Sequence, residues 1–187
     1  LGTSCAVPTV QRNLSSIAVR REGDVYLLDC GEGTQRQMMK FGVSYMKVRA
    51  IFITHLHLDH FLGVFGLVET MGLNGRKEKL TLYGPPGSRA VFGKKEFLEI
   101  NEIDAKFSVD FGEFSVSAFP VEHTKDSFGF VIEEKERRRF YEQKAKSLGM
   151  AGPQFSELSK KGEITLNRKK IRLSDVTYLQ PGKKIAF

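Results

Sequence analysis

Three of the four histidines in this 187-residue chain fall within six positions, in the segment Thr54-His55-Leu56-His57-Leu58-Asp59-His60. Imidazole and carboxylate groups are ligands that suit Zn²⁺, with metal–nitrogen distances of about 2.0–2.1 Å. If His55 and His57 leave a strand on the same side, they can bind one ion, and Asp59 and His60 can bind a second from the start of the next helix. Two ions about 3.5–4 Å apart stabilise both the attacking and the leaving oxygen of an in-line displacement. The cluster therefore predicts a metal site with hydrolytic chemistry.

Short strands and helical stretches alternate around this cluster and must position it. Residues 48–54 form a nearly continuous apolar run, typical of a strand buried on both faces, and this run ends at the first histidine. A helix over about 61–73 follows. Further predicted elements are strands at 16–20, 25–29, 80–83, 107–119 (a hairpin) and 128–132, and a helix at 33–41 closed by Gly42. This order predicts a sheet-rich α/β structure with helices packed on it.

The composition favours one folded domain. Hydrophobic residues make up 41% of the chain, enough for a sizeable core, and no stretch approaches the roughly 18 apolar residues that a membrane span needs. Cys5 and Cys30 are too few for a disulfide framework, so we expect a cytoplasmic protein with two small, packed cysteines. Because the sequence starts at Leu1 without a signal peptide or a Met, we interpret it as part of a longer chain.

The basic charge is concentrated at one end. Residues 134–187 carry 14 Lys/Arg and 6 Asp/Glu, whereas the remaining residues carry 15 and 16. A charge distribution this asymmetric favours binding of a polyanion, with nucleic acid as the leading candidate. A helix face exposed to solvent would have the same composition. A charged helical run over 133–148, a glycine-containing turn at 149–153 and a second short helix predict a protruding hairpin.

The spacing His55-x-His57-x-Asp59-His60 after an apolar strand matches the HxHxDH signature of the metallo-β-lactamase superfamily. The match implies an αβ/βα sandwich, in which mixed sheets are flanked by helices and the metals lie at the sheet edge. Within that superfamily the sequence resembles the ribonuclease Z family of tRNA 3′-processing endonucleases. The segments that carry this resemblance are 1–9, 12–16, 29–35, 63–76 and 83–85.

This resemblance implies a set of metal ligands. His55, His57 and His123 would bind one ion, and Asp59 and His60 would bind the second, with Asp59 also acting as the catalytic proton acceptor. The expected cofactor is Zn²⁺, two per complete subunit, with Mn²⁺ or Fe²⁺ as alternatives. The family also uses a bridging Asp and a further His, which we expect beyond Phe187.

The resemblance also implies an RNA substrate. Residues 1–133 would form the amino-terminal half of the hydrolase, 134–183 a basic flexible arm that clamps tRNA, and 184–187 the start of the next core strand. Gly152, Lys160 and Lys161 are the predicted contacts of the arm. Arg12 and Asn13 are predicted substrate contacts in the amino-terminal loop, where Val10 replaces a lysine usual in the family.

The leading hypothesis is therefore a zinc-dependent endoribonuclease that removes the 3′ trailer from precursor tRNA. We expect it to act as a homodimer in the cytoplasm and not to associate with a membrane. Two alternatives remain open. One is another hydrolase of the superfamily, of the lactonase, thioesterase or arylsulfatase type, which predicts no basic arm. The other is a catalytically incomplete tRNA-binding module. Asp29 is equally compatible with a role as partner of a ligating histidine and with a simple role in a turn.

Overall fold

Five strands form a mixed sheet whose central member leads into the histidine cluster. The computed structural model describes all 187 residues. The strands are β1 (Ile17–Arg21), β2 (Asp24–Leu28), β3 (Val48–Phe52), β4 (Leu80–Gly84) and β5 (Leu98–Glu102), in that spatial order. The hairpin β1–β2 is antiparallel, and β2 to β5 run parallel. The buried strand predicted over 48–54 is confirmed, because all of β3 except Arg49 is buried.

Helices cover one face of this sheet. They are α1 (Thr34–Lys40), α2 (Leu58–Phe61), α3 (Gly63–Leu73) and α4 (Ser88–Phe92). Met38 of α1 and Leu67 of α3 pack in one apolar cluster with Ile51 of β3, and all three side chains are fully buried. The helix predicted over about 61–73 is present but begins earlier, as α2 and α3.

A second sheet packs against the other face through aromatic rings. Its strands are β6 (Ser108–Asp110), β7 (Phe114–Pro120), β8 (Phe128–Glu134) and β13 (Lys184–Ala186), in the order β13-β8-β7-β6. Phe52 of β3 lies 5.4 Å from Phe130 of β8 and 6.2 Å from Phe111, measured between ring centroids. This contact holds the two sheets face to face.

The chain divides into two compact units, of which the second comprises residues 112–115 and 133–184. The elements of the second unit are β9 (Arg137–Phe140), α5 (Glu142–Ser147), α6 (Gly152–Lys161), β10 (Glu163–Leu166), β11 (Lys169–Arg172), α7 (Leu173–Val176) and β12 (Thr177–Gln180). It has an apolar core of its own, which includes Ala145, Leu158 and Val176 with no exposed surface.

The helical run predicted over 133–148 is wrong for most of its length. Residues 133 and 134 complete β8, and Arg137–Phe140 is a strand that pairs with Thr177–Gln180; only Glu142–Ser147 is helical. The ring of Phe140 packs edge-on against that of Phe155, at 4.9 Å between centroids. Pairing with a distant strand and packing of Phe140 outweigh local helix propensity here.

None of the helices combines the length and the apolar character that crossing a membrane requires.

Candidate metal centre

The histidine cluster lies at the carboxyl end of the central strand β3. The backbone N–H of Ile53 donates to the carbonyl of Tyr83, and the carbonyl of Thr54 accepts from the N–H of Phe128 in the second sheet. His55 and His57 thus leave the edge where the two sheets meet. Asp59 and His60 lie in the first turn of α2, as the spacing predicted. The carboxyl ends of parallel strands are the usual place for sites in α/β folds.

His123 reaches the cluster from the loop between β7 and β8. That loop is closed by a hydrogen bond from the N–H of Val121 to the carbonyl of Ser127, 3.1 Å long. The imidazole centroid of His123 lies 4.8 Å from that of His55 and 5.0 Å from that of His57. The ligand atoms of these three histidines all lie within 4.8 Å of one another.

The arrangement fits a divalent metal ion. His55 Nε2 is buried and has no hydrogen-bond partner, and an unpaired buried polar atom is costly unless a ligand occupies it. His57 Nδ1 and His123 Nε2 are 3.4 Å apart. Two nitrogens bound at about 2.0–2.1 Å to one tetrahedral zinc have nearly this separation.

The electrostatics of the cluster keep His55 in the form that binds metals. Burial, together with the nearby rings of His60, His57 and His123, lowers the pKa of His55 to about 4, against an opposing effect of Asp59. Its imidazole is therefore neutral at pH 7, with a lone pair available on one nitrogen.

Asp29 connects two of the histidines through a buried hydrogen-bond network. Its carboxylate is completely buried and lies at the end of β2 with a φ of 56°. Oδ1 accepts hydrogen bonds from the backbone N–H and the hydroxyl of Thr54, at 2.9 and 3.0 Å. Oδ2 lies 2.5 Å from His60 Nδ1, and Thr54 Oγ1 lies 2.9 Å from His55 Nδ1.

This network fixes which nitrogen of each ring carries the proton. A carboxylate only accepts, so the Thr54 hydroxyl donates to Asp29 and must accept from Nδ1–H of His55. Nδ1–H of His60 likewise donates to Asp29. The Nε2 lone pairs of both rings are left free for a metal. Asp29 is therefore the partner of histidines in the cluster and not merely a turn residue. The role of Thr54 was missed from the sequence, where its only signal is its position directly before His55.

Replacing Asp29 with Asn is expected to weaken zinc binding by about 10- to 100-fold, because an amide is neutral and presents one acceptor oxygen in place of two. Thr54→Val, which removes the hydroxyl and keeps the shape, should act in the same direction. Thr54→Ser is the matched control that keeps the hydroxyl. Zinc affinity can be measured by competition with a chromogenic chelator. Affinity within twofold of the wild type in both Asp29→Asn and Thr54→Val would contradict the role of the network.

Asp59 and His60 form a second pair of ligand-type groups beside the three histidines. His60 Nε2 lies 3.5 Å from Asp59 Oδ2, and the rings of His60 and His55 are 4.1 Å apart. Asp59 Oδ2 accepts a hydrogen bond from the backbone N–H of Ala6 at 2.9 Å, a contact that no sequence pattern predicts. Partial burial acts to raise the pKa of Asp59, but the Ala6 N–H and the His60 ring outweigh it and lower this pKa. For His60, burial acts to lower the pKa, and the hydrogen bond and charge of Asp29 outweigh it and raise the pKa.

Two glycines allow the chain to pass close to the cluster. The N–H of Gly63 donates to the carbonyl of Cys30, and a Cβ on Gly63 would lie 2.1 Å from the carbonyl oxygen of Gly31. A Cβ on Gly31 would lie 2.4 Å from the carbonyl oxygen of Asp59. Neither position accepts a side chain, which explains why the segment 29–33 and the start of α3 need glycine.

Other predicted residues lie outside this cluster. The guanidinium of Arg12 donates to Thr3 within the amino-terminal loop, and the amide of Asn13 donates to the carbonyl of Glu32. Val10 is almost fully exposed. Cys30 is buried, which raises the pKa of its thiol to about 12, and Cys5 is exposed.

The predicted tRNA contacts of the second unit lie on α6. Gly152 is its first residue, and Lys160 and Lys161 are its last two. All three are exposed, and Nζ of Lys161 lies 2.7 Å from Oε1 of Glu157.

Comparison with known proteins gives a consistent result. Residues 11–141 match the family model of the metallo-beta-lactamase superfamily. The ribonuclease Z of Methanothermobacter thermautotrophicus is 44% identical in an alignment 168 positions long, which covers 84% of this chain and 55% of that protein. The ribonuclease Z of Pyrococcus abyssi is 42% identical in an alignment 188 positions long, which covers 95% of this chain and 61% of that protein.

The crystal structure of human tRNase Z, short form, superposes on 71% of this chain and 63% of that one, with a TM-score of 0.61 and 33% sequence identity. The predicted fold of mixed sheets flanked by helices is thereby confirmed. The chain spans 55% and 61% of the length of the two curated relatives.

Proposed function

Because this chain belongs to the metallo-beta-lactamase superfamily, we propose that the protein is a zinc-dependent endoribonuclease that removes the 3′ trailer from precursor tRNA. The observation that carries the proposal is that the ligand atoms of His55, His57 and His123 lie within 4.8 Å of one another, while Nε2 of His55 is buried without a hydrogen-bond partner. The similarity to ribonucleases Z at 42–44% identity supports the substrate.

His55, His57 and His123 would hold one zinc ion, and Asp59 with His60 would contribute to a second. Zinc bound here would act as a Lewis acid on the phosphodiester and lower the pKa of water. Asp59 is the residue suited to accept a proton, because its pKa is lowered and it is a carboxylate at neutral pH. The Ala6 N–H fixes one of its oxygens, which orients the other. Asp29 and Thr54 keep the proton on Nδ1 of His55, and Asp29 keeps it on Nδ1 of His60, so that Nε2 of each ring would be free to bind its metal ion.

The second unit supplies groups suited to a polyanionic substrate. Between Phe140 and Thr177 the chain carries eight basic and four acidic residues. Five of the basic side chains have no acidic partner; they are Lys144, Lys160, Arg168, Lys169 and Arg172. Cations on such an arm bind phosphates without reading sequence, which is how folded RNA is recognised by shape. The homodimer and the cytoplasmic location remain predictions.

A cleavage assay tests this proposal. The full-length protein that carries this chain, supplied with Zn²⁺, is expected to cut a 3′-extended tRNA transcript at a single position and to stop when EDTA is added. An RNA hairpin of equal length without the tRNA fold is the matched control and should be cut at least about 100-fold more slowly, since it lacks the shape that the arm would bind. Equal rates on both RNAs would contradict tRNA specificity. Hydrolysis of a small phosphodiester without cleavage of either RNA would contradict the endoribonuclease assignment.

A further inference from the structure

One face of the β9–β12 ladder in the second unit displays two tyrosines beside an arginine. In this antiparallel pair Tyr178 lies opposite Arg139, and opposite residues point to the same side of the ladder. Tyr141 follows β9 and extends the ladder, since its N–H donates to the carbonyl of Val176. Because it lies two residues beyond Arg139, its side chain shares that side.

The two tyrosine rings form an exposed aromatic pair. Their centroids are 4.9 Å apart and their planes are inclined by 34°. Tyr141 is 49% exposed and Tyr178 is 40% exposed. On the opposite side of the ladder the ring of Phe140 is partly buried, because it packs against Phe155 at the edge of the apolar core. The tyrosine pair therefore has an unused aromatic surface.

Two basic side chains, Arg139 and Lys144, lie beside this surface. The Arg139 guanidinium is held by a hydrogen bond from Nε to the side-chain oxygen of Gln180, 3.0 Å long. An open surface depression at the tyrosine pair is lined also by Lys144 and Glu142. The Glu142 carboxylate also lies here, 3.7 Å from Lys146 Nζ.

From this geometry we infer that Tyr141, Tyr178 and Arg139 form a stacking platform for an unpaired nucleobase of the RNA substrate. Aromatic rings and guanidinium planes are the groups on which splayed-out bases stack, and neighbouring cations bind the adjoining phosphates. The inference deepens the proposed function and rests on it, because it adds a base contact to an arm otherwise expected to bind phosphates.

Binding of a precursor tRNA transcript to the full-length protein, measured by fluorescence anisotropy over a range of KCl concentrations, tests the platform. The double variant Tyr141→Ala/Tyr178→Ala is expected to raise Kd at least about fivefold, the lower limit for loss of one stacked base. The slope of log Kd against log[KCl] should stay unchanged, because no phosphate contact is removed.

Matched variants separate stacking from other causes. Tyr141→Phe/Tyr178→Phe keeps the rings and should bind within twofold of the wild type. Phe41→Ala removes another exposed aromatic ring, 57% exposed, and should also have no effect. Equal losses in the Phe and Ala double variants, or an Ala double variant that binds like the wild type, would overturn the inference.

Two further outcomes are distinguishable. If the wild type neither binds nor cleaves precursor tRNA, the proposed function fails; if it does both and the Ala double variant matches it, the platform alone fails. Sedimentation of both proteins without RNA shows whether the tyrosines join two copies of the chain. A change in self-association in the Ala double variant, with RNA affinity unchanged, would assign the surface to protein contacts and overturn the inference.

Discussion

Replacing His57 or His123 with Ala is expected to lower the zinc affinity of the 187-residue chain by more than about 100-fold. This loss exceeds the one expected when a hydrogen-bond partner of a ligating histidine is removed. Both side chains are exposed, so the substitutions should not disturb the core. Each removes one of the three ligand atoms that lie within 4.8 Å of one another. Titration with Zn²⁺ alone, and with Co²⁺ for its absorption spectrum, measures the effect without any activity assay.

The same substitutions in the full-length protein should slow cleavage of precursor tRNA by at least about 10³-fold, since Lewis-acid stabilisation contributes several kcal/mol to the transition state. His55→Ala should do the same, although this side chain is only 7% exposed and its loss must be checked by thermal unfolding. Cys5→Ala is the matched control, because it removes an exposed thiol that could also bind zinc. Zinc affinity lost in Cys5→Ala and retained in His57→Ala and His123→Ala would show that the assignment is wrong.

The grouping of the candidate metal ligands could be predicted because most of them are close together in sequence. His55 and His57 follow a strand whose burial is evident from its apolar run, and Asp59 and His60 begin the next helix. His123 lies more than 60 positions away, and only the family resemblance connected it to the others. The hydrogen bonds of Asp29 were open to two interpretations, since they depend on how β2 lies beside β3.

The second unit shows where local reasoning fails. Its charged composition between 133 and 148 has the residues that favour a helix, yet Arg137–Phe140 is a strand because Thr177–Gln180 lies beside it. The partner is about 40 residues away, and no local pattern specifies it. That Tyr141 and Tyr178 lie on the same side of the β9–β12 ladder could not be predicted either, because it follows from the register of this pairing.

Excision of residues 141–176, which are most of the arm predicted over 134–183, is expected to abolish tight tRNA binding while sparing hydrolysis of a small phosphodiester. The register offers a clean design, because Phe140 lies directly opposite Thr177 and an Asn-Gly turn can join them. The deletion removes residues 141–176, with their eight basic residues and the Tyr141 ring. At low salt we expect Kd for precursor tRNA to rise at least about 100-fold, and the slope of log Kd against log[KCl] to fall by about 3–4, for up to five lost phosphate contacts.

A charge variant tests the same arm without removing its fold. Lys160→Gln/Lys169→Gln/Arg172→Gln neutralises three side chains that have no acidic partner and leaves the core of Leu158 and Val176 in place. This triple variant should lower the slope of log Kd against log[KCl] by about 2–3. Lys40→Gln/Lys77→Gln/Lys94→Gln, which neutralises three exposed lysines of the first unit, is the matched control. If both triple variants lower the slope equally, net charge and not the arm attracts the RNA.

The excision variant has its own contradicting outcome. If excision slows hydrolysis of bis(p-nitrophenyl) phosphate as much as cleavage of precursor tRNA, the arm supports the hydrolytic site and does not serve RNA binding alone.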